Sequence, residues 1–377
     1  MLKWSWKIAT VRGIGIFIHW TFTLLLIWVG MSYALSGAPL PAIIEAIALV
    51  LAIFACVILH ELGHALTARR YGVGTRDITL LPIGGVARLE RIPDRPMQEF
   101  CVALAGPAVN VAIAGVLAAM LILWHGVGVL TDMGFVEHSL LAKLFYVNIL
   151  LVVFNLLPAF PMDGGRVLRA VLAMRLDYDR ATQIAATIGQ GMAIIFATVG
   201  VFYNWFLLFI ALFVYIGAQQ EAEQTHTRSL LAGARVADAM ITRFRTLAPQ
   251  DSIALAADEL LNGDQQHFPV IDASGTVLGV LTRPDLIHAL ADHRHQSEVA
   301  AAMRSHCKPV SAGAPLPATV EEMRQQSCPA LPVLHDGRLV GILTLENVGE
   351  WLMVRSALRQ SGDPMPPFHS PMAGRAA

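Results

Sequence analysis

His60, Glu61 and His64 form a His-Glu-x-x-His run. The histidines are four residues apart, so on a helix they share one face and can converge on a single cation. Glu61 stands beside them, placed to take a proton from water at that cation. The run closes an apolar stretch, residues 42–66, and between 43 and 59 the only ionisable side chains are Glu45 and Cys56. Such a stretch can cross about 30 Å of hydrocarbon. A charged cluster at the end of a spanning helix is costly to insert and marks function by default.

Two more polar residues stand out in apolar surroundings. Asn110 ends Ala105-Gly106-Pro107-Ala108-Val109-Asn110, where small residues let helices approach closely. Asp163 follows Asn155-Leu156-Leu157-Pro158-Ala159-Phe160-Pro161-Met162 and precedes Gly164-Gly165. The two prolines unwind the helix end, so Asp163 is expected on irregular backbone at the depth of the histidines. A carboxylate there would complete a two-histidine, one-carboxylate zinc shell with the fourth position open to water. Taken singly, Asp163 reads more often as a turn residue before Gly164-Gly165, and Asn110 reads as well as an interhelical hydrogen bond.

The elements that must carry these residues are apolar. The chain has 377 residues, is 55% hydrophobic and has a mean hydropathy of +0.57, too apolar for an ordinary soluble protein. Six apolar blocks cover residues 15–31, 42–66, 98–124, 140–157, 181–203 and 205–219. Segments 32–41, 125–139 and 203–205 hold no Lys or Arg. The other connections are basic, with Lys3, Lys7 and Arg12 before the first block. Arg69, Arg70, Arg76, Arg88, Arg91 and Arg95 follow the second, and Arg166, Arg169, Arg175 and Arg180 the fourth. Because Lys and Arg gather on the cytoplasmic side, this pattern predicts six crossings with both termini cytoplasmic. The expected place is the cell (inner or plasma) membrane, and no cleavable signal peptide is evident.

The second basic connection, Asp77 to Leu89 around Gly84-Gly85, reads as a β-hairpin on the cytoplasmic side. Its 79–81 edge is expected to be free to pair with an extended substrate, although a plain connector fits as well. The net charge of -1 does not suggest nucleic-acid binding. Cys56, Cys101, Cys307 and Cys328 make no Cys-x-x-Cys and no disulfide framework, so all four are expected as buried free thiols. His19 reads as a structural histidine, and Glu45 as reaching interfacial water. His288, His293 and His295 fall in a solvated stretch.

From about residue 225 the composition is soluble and contains a duplication. One copy runs His267-Phe268-Pro269-Val270-Ile271-Asp272 to Thr282-Arg283-Pro284-Asp285, the other Ala330-Leu331-Pro332-Val333-Leu334 to Thr344-Leu345-Glu346-Asn347. Each reads as strand, turn, strand, then a helix entered through Thr, preceded by an amphipathic helix at 253–261 or 316–325.

With these motifs in hand, the chain resembles the site-2 protease family of intramembrane zinc metalloproteases, in the branch with a C-terminal pair of cystathionine-β-synthase (CBS) domains. His60-Glu61-x-x-His64, Gly106-Pro107-x-x-Asn110 and Asn155-x-x-Pro158-x-x-Pro161-x-Asp163-Gly164 match three family motifs in order. The fold implied is a polytopic α-helical membrane protein with six transmembrane helices and a C-terminal α/β tandem CBS domain. The protease domain would cover 1–224 and the CBS pair 225–355, its copies at about 236–292 and 299–355, with a disordered tail at 356–377. The resemblance implies one zinc per chain on His60, His64 and Asp163, with Glu61 as general base and then proton donor to the leaving amine. Asn110 would hold the substrate backbone or the developing oxyanion. The implied substrates are single-span membrane proteins, cut within the lipid bilayer. CBS pairs resemble sensors of ATP, ADP or AMP. Thr282 and Asp285 match the nucleotide motif of the first copy, and Thr344 and Asn347 fill the same positions in the second. Asn347 replaces Asp, so the second site lacks a charge there. A homodimer through the CBS domains is an alternative role for the pair. The 125–139 connection is too short for a PDZ domain. A CBS-gated transporter and a catalytically dead scaffold are competing readings, and the intact set of four site residues argues against the second.

Overall fold

The computed structural model describes residues 4–82, 84–90 and 95–361. The chain divides into two units, Met1–Thr225 and His226–Ala377.

The first unit opens with strands β1 (Ser5–Val11) and β2 (Ile14–His19), paired antiparallel through Arg12 and Gly13. Both turn residues have positive φ, 48° and 88°, as a two-residue hairpin of the primed kind requires. Residues 15–19 were expected to begin the first membrane block. Ile14, Ile16 and Ile18 instead alternate along a strand, and only from Thr21 does the chain become helical. β-branched side chains at every second position favour the pleated surface. A run that is apolar throughout hides that choice, because its periodicity is unreadable.

Helices α1 (Thr21–Leu35) and α2 (Leu40–Arg70) follow, then β3 (Thr75–Leu81) and β4 (Gly84–Leu89). The strands form one sheet in the order β1-β2-β3-β4, with β2 parallel to β3 and the other pairs antiparallel. Since β2 leads into α1 and β3 leaves α2, the start of α1 and the end of α2 lie at the same end of the unit. The Arg69 guanidinium donates to the Arg12 carbonyl there. The sheet corrects one expectation. The hairpin exists, but 79–81 is not an edge, because β3 is bonded on both sides. Among the described residues the edges of this sheet are β1 and β4.

Then come α3 (Pro96–His125), the short α4 (Met133–His138) capped by the Asp132 carboxylate, and α5 (Leu140–Asn155). After these stand α6 (Asp163–Ala173), α7 (Tyr178–Tyr203) and α8 (Phe206–Leu231). By length and composition α2, α3, α7 and α8 can each cross a membrane. At about 1.5 Å per residue, α1 and α5 extend roughly 22–24 Å, short of a full crossing. Glu45 does not simply reach for water, since Lys143 donates to it at 2.8 Å. His19 bonds Thr21 Oγ1 at 2.7 Å, as a structural histidine would.

A buried ion cluster ties four of these helices. Arg169 on α6 is 1% exposed. It donates from Nε to Glu99 on α3 at 2.8 Å and from Nη1 to Glu221 on α8. Its guanidinium carbon lies 5.0 Å from the rings of Phe160 and of Tyr178, which opens α7. Charges buried this deeply are tolerated only when paired.

In the second unit, α9 (Val236–Ala239) and α10 (Ile253–Asn262) precede β5 (His267–Ile271), β6 (Val277–Thr282) and α11 (Arg283–Ala291). The duplicate follows as β7 (Val310–Ser311), α12 (Leu316–Gln326), β8 (Ala330–His335), β9 (Arg338–Thr344) and α13 (Leu345–Ser361). β5 pairs with β6, and β7-β8-β9 form a second sheet. Thr282 and Thr344 each cap the helix that follows, accepting the backbone N–H of Asp285 and of Asn347. Two expectations are corrected here. Cys307 and Cys328 are joined by a disulfide, which a separation of 21 residues conceals, while Cys56 and Cys101 are free. Helix α13 also runs through Ser361, into the segment expected as tail. The rest of that segment, 362–377, lies outside the described residues.

The ion cluster carries a prediction. Arg169→Ala should destabilise the protein by about 3–5 kcal/mol, because it strands the buried Glu99 carboxylate and leaves the half-buried Glu221 unpaired from it. Adding Glu99→Gln and Glu221→Gln to Arg169→Met should cost less than the single change. Thermal unfolding in detergent measures both.

Candidate active site

His60 and His64 sit one turn apart on α2 and are 6% and 5% exposed. Asp163 does not lie on irregular backbone. It is the first residue of α6, where the helix dipole favours a carboxylate. The chain restarts as a helix directly after Pro161, which the prolines alone did not predict. His60 Nε2 and His64 Nε2 each lie 3.1 Å from Asp163 Oδ2 and 3.1 Å from one another.

The far side of each ring fixes what faces inward. His64 Nδ1 donates to the Val102 carbonyl at 2.7 Å, and His60 Nδ1 donates to Asn110 Oδ1 at 3.1 Å. Both partners only accept, so both Nδ1 atoms carry the proton and both Nε2 atoms turn bare lone pairs toward Asp163. Three electron-rich atoms at 3.1 Å repel unless a cation lies among them. Ligands about 2.0–2.1 Å from a tetrahedral zinc stand roughly 3.3–3.4 Å apart, so the donor set fits such an ion. The outer hydrogen bonds from Val102 and Asn110 are those that orient metal-binding imidazoles.

Helix α3 makes room for this arrangement at Gly106. A Cβ there would stand 2.2 Å from His64 Nε2 and 2.6 Å from His60 Nε2. Asn110, one turn on, is 1% exposed. Its Oδ1 is used by His60, while its Nδ2 is buried with no hydrogen-bond partner among the described residues. Glu61 lies within electrostatic reach of His64, His60 and Asp163. Strand β4 runs against it, for a Cβ on Gly85 would stand 2.8 Å from Glu61 Cγ. All five first-unit residues singled out from sequence therefore meet. The Val102 carbonyl and the Gly85 backbone were missed, since backbone groups leave no signature in side-chain pattern.

The four CBS candidates fall at the two strand–helix junctions. Arg304 grips Asp285, donating from Nε to Oδ2 at 2.6 Å and from Nη2 to Oδ1 at 3.0 Å, and Thr282 donates to the same carboxylate. In the second copy Thr344 bonds Asn347, and Asn347 Nδ2 donates to Glu350 at 3.3 Å. His267 was not singled out. It is 5% exposed, both ring nitrogens lack hydrogen-bond partners among the described residues, and Glu346 is 3.9 Å away. A histidine in an otherwise apolar strand was the available signal. His288, His293 and His295 are exposed.

Gly106→Ala should abolish zinc retention. Gly115→Ala on the same helix, where a Cβ meets nothing within 4 Å, should leave it intact; metal analysis after gel filtration reads both. A second prediction concerns pH. Burial would raise the Asp285 carboxyl, but hydrogen bonds from Arg304 and Thr282 outweigh it and hold the group below its ordinary range. Its stabilising contribution is then complete above the usual carboxylate pKa of about 3.9 and is lost as pH falls through the lowered folded value. Asp285→Asn should unfold more easily than wild type at neutral pH. The gap should close on acidification, as followed by denaturant unfolding at a series of pH values.

Both units resemble known proteins. A model of peptidase family M50 matches residues 48–197, and a CBS domain model matches 236–292 and 297–353. The chain is 35% identical over 282 residues to zinc metalloprotease MJ0392 of Methanocaldococcus jannaschii, covering 74% of this chain and 78% of that one. It is 31% identical over 315 residues to putative zinc metalloprotease Rip3 of Mycobacterium tuberculosis, covering 80% and 79%. Among solved structures, the site-2 protease from Methanocaldococcus jannaschii aligns with 58% of this chain and 95% of that one, at 37% identity and a TM-score of 0.42. The chain thus belongs to peptidase family M50, the site-2 proteases, as a multi-pass membrane zinc metalloprotease with a C-terminal CBS pair.

Proposed function

We propose that the chain is an intramembrane endopeptidase that cuts the membrane segments of single-span proteins, with one catalytic zinc on His60, His64 and Asp163. The observation that carries this reading is the meeting of two imidazole nitrogens and a carboxylate oxygen at 3.1 Å, buried among apolar helices. Zinc bound there supplies Lewis acidity, acidifying water and polarising a carbonyl. Glu61 takes the proton of the attacking water and gives it to the leaving amine nitrogen. Asn110 has two tasks. Oδ1 holds His60 in its tautomer, and the unpartnered Nδ2 donates to the carbonyl oxygen as it gains charge.

A peptide bond inside a helix is shielded by its own hydrogen bonds, so the substrate has to unwind before it is cut. Strand β4 supports a route for that step. It is a sheet edge, it passes Glu61, and its unpaired backbone groups can take an extended segment by strand addition. Six crossings fit the basic and Lys/Arg-free connections, with α1 and α5 as the short pair. The sheet, both termini and the CBS unit then lie on the cytoplasmic side of the cell membrane. For the CBS pair we favour an adenine nucleotide as regulator, at Thr282 and Asp285 in the first copy and Thr344 and Asn347 in the second. A ribose that binds Asp285 has to displace Arg304 from it. Homodimerisation through the pair is compatible with this role.

Two outcomes test the reading. Detergent-purified wild type should cut members of a panel of single-span test proteins, while Glu61→Gln holds the same zinc and cuts none. If both cut, or if Glu61→Gln loses its zinc, the general-base role is wrong. Proline introduced in turn at Val86 and Ala87 should slow cleavage at the position whose N–H points away from β3, with zinc content unchanged.

A further inference from the structure

A second group of metal-ligating side chains lies in the other unit. One nitrogen of His306 and the sulfurs of Cys307 and Cys328 lie within 4.8 Å of one another. We propose that these three residues form a second, thiolate-containing metal site, which holds a zinc ion when the Cys307–Cys328 bond is reduced. The proposal rests on the cytoplasmic placement of the CBS unit, because a reducing compartment keeps such sulfurs as thiols.

The donors fit the ion. Two thiolates and an imidazole are a borderline-soft set suited to zinc, and water can fill the fourth position. Zinc-bound sulfurs, each about 2.3 Å from the metal, stand roughly 3.7 Å apart, so the two sulfurs have to move apart on reduction before an ion fits between them. Both cysteines are 1% exposed, whereas His306 is exposed. The imidazole side therefore offers the entry path and the water position. A buried pair of thiolates is unfavourable alone and is neutralised by a divalent cation.

The site is also held ready without the sulfur–sulfur bond. Arg304, three residues before Cys307, donates from Nη1 at 2.8 Å to the carbonyl of Ser327, the residue before Cys328. Asp285 fixes the same guanidinium, and the Arg304 backbone exchanges hydrogen bonds with Val280 at 2.9 and 3.2 Å. On the other strand of the brace, the Cys328 N–H donates to the Met323 carbonyl at 2.9 Å, closing α12 after Ser327 turns left-handed at φ 55°. Reducing the disulfide thus removes one link among several, and the two segments stay side by side.

The chemistry balances. Two equivalents of a small thiol reduce the disulfide to two thiols and leave as one small disulfide. Zinc then displaces the two thiol protons. A small disulfide reverses this by taking two electrons from the thiolates, reforming the Cys307–Cys328 bond and releasing the ion together with two small thiolates.

The test uses the full-length chain in detergent, reduced under argon, loaded with zinc or cobalt and desalted. Reduced wild type should hold about two metal equivalents, and Cys307→Ser with Cys328→Ser about one. With cobalt, only chains with both thiols should show a thiolate-to-metal charge-transfer band in the near ultraviolet. His60→Ala with His64→Ala should keep that band. The oxidised wild-type chain gives a comparison without substitution and should hold one equivalent fewer than the reduced chain. The proposal fails if reduced and oxidised wild type bind equal metal, or if cobalt gives no such band while both thiols react freely with a thiol reagent. Alkylation of intact cells before lysis checks the compartment separately. A chain bonded in cells that still binds the extra metal once reduced supports the site and refutes the cytoplasmic placement.

Discussion

Two imidazole lone pairs and a carboxylate oxygen are brought to 3.1 Å of each other inside an apolar bundle, and most of the first unit serves to keep them there. Such a cluster is repulsive by itself, and at low effective dielectric the repulsion is barely screened. It persists only because each donor is held from behind. The Val102 carbonyl and Asn110 fix the two rings, and both belong to α3, so one helix sets the tautomer of a histidine pair on another. Gly106 lets that helix come close enough. Asp163 is set by the start of α6, and α6 is pinned by Arg169 to α3 and α8 through Glu99 and Glu221. The buried ion cluster and the His60–His64–Asp163 cluster are therefore joined through one helix, less than two turns apart.

The sheet answers a different constraint. Strands expose backbone groups that hydrocarbon cannot satisfy, so they must pair or face water. β2 and β3 are fully paired, and the remaining edges are β1 and β4. Of these two, β4 is the one that passes Glu61, the proposed general base, at Gly85. An unsatisfied edge at this point is a liability in a resting protein and an asset in an enzyme that has to hold unwound peptide. The same economy operates in the CBS unit, where Arg304 occupies the carboxylate that a nucleotide would need and also braces the cysteine pair.

Much of this was legible in the sequence, for reasons that differ by residue. His60, Glu61, His64, Asn110 and Asp163 were visible because polar groups within apolar runs have few innocent explanations. The CBS copies were visible through their duplication. Residues 15–19 were misread because a continuous apolar run has no period to separate strand from helix, and the 79–81 edge because β2, its partner, had not been recognised as a strand. Asp163 at a helix start, the Val102 carbonyl and the Arg304 brace depend on backbone geometry or on contacts distant in sequence. The Cys307–Cys328 pair was hidden for the same reason. A pattern of side chains along the chain records none of these.

The central claim is that His60, His64 and Asp163 hold one zinc. Zinc K-edge X-ray absorption on the full-length chain, with Cys307 and Cys328 kept as the disulfide, tests it most directly. The account predicts a stoichiometric ion with two imidazoles and oxygen ligands at about 2.0–2.1 Å, and loss of the ion in His60→Ala with His64→Ala. A chain that holds no zinc, a sulfur-containing shell in the oxidised protein, or an imidazole signature that survives loss of both histidines would contradict it.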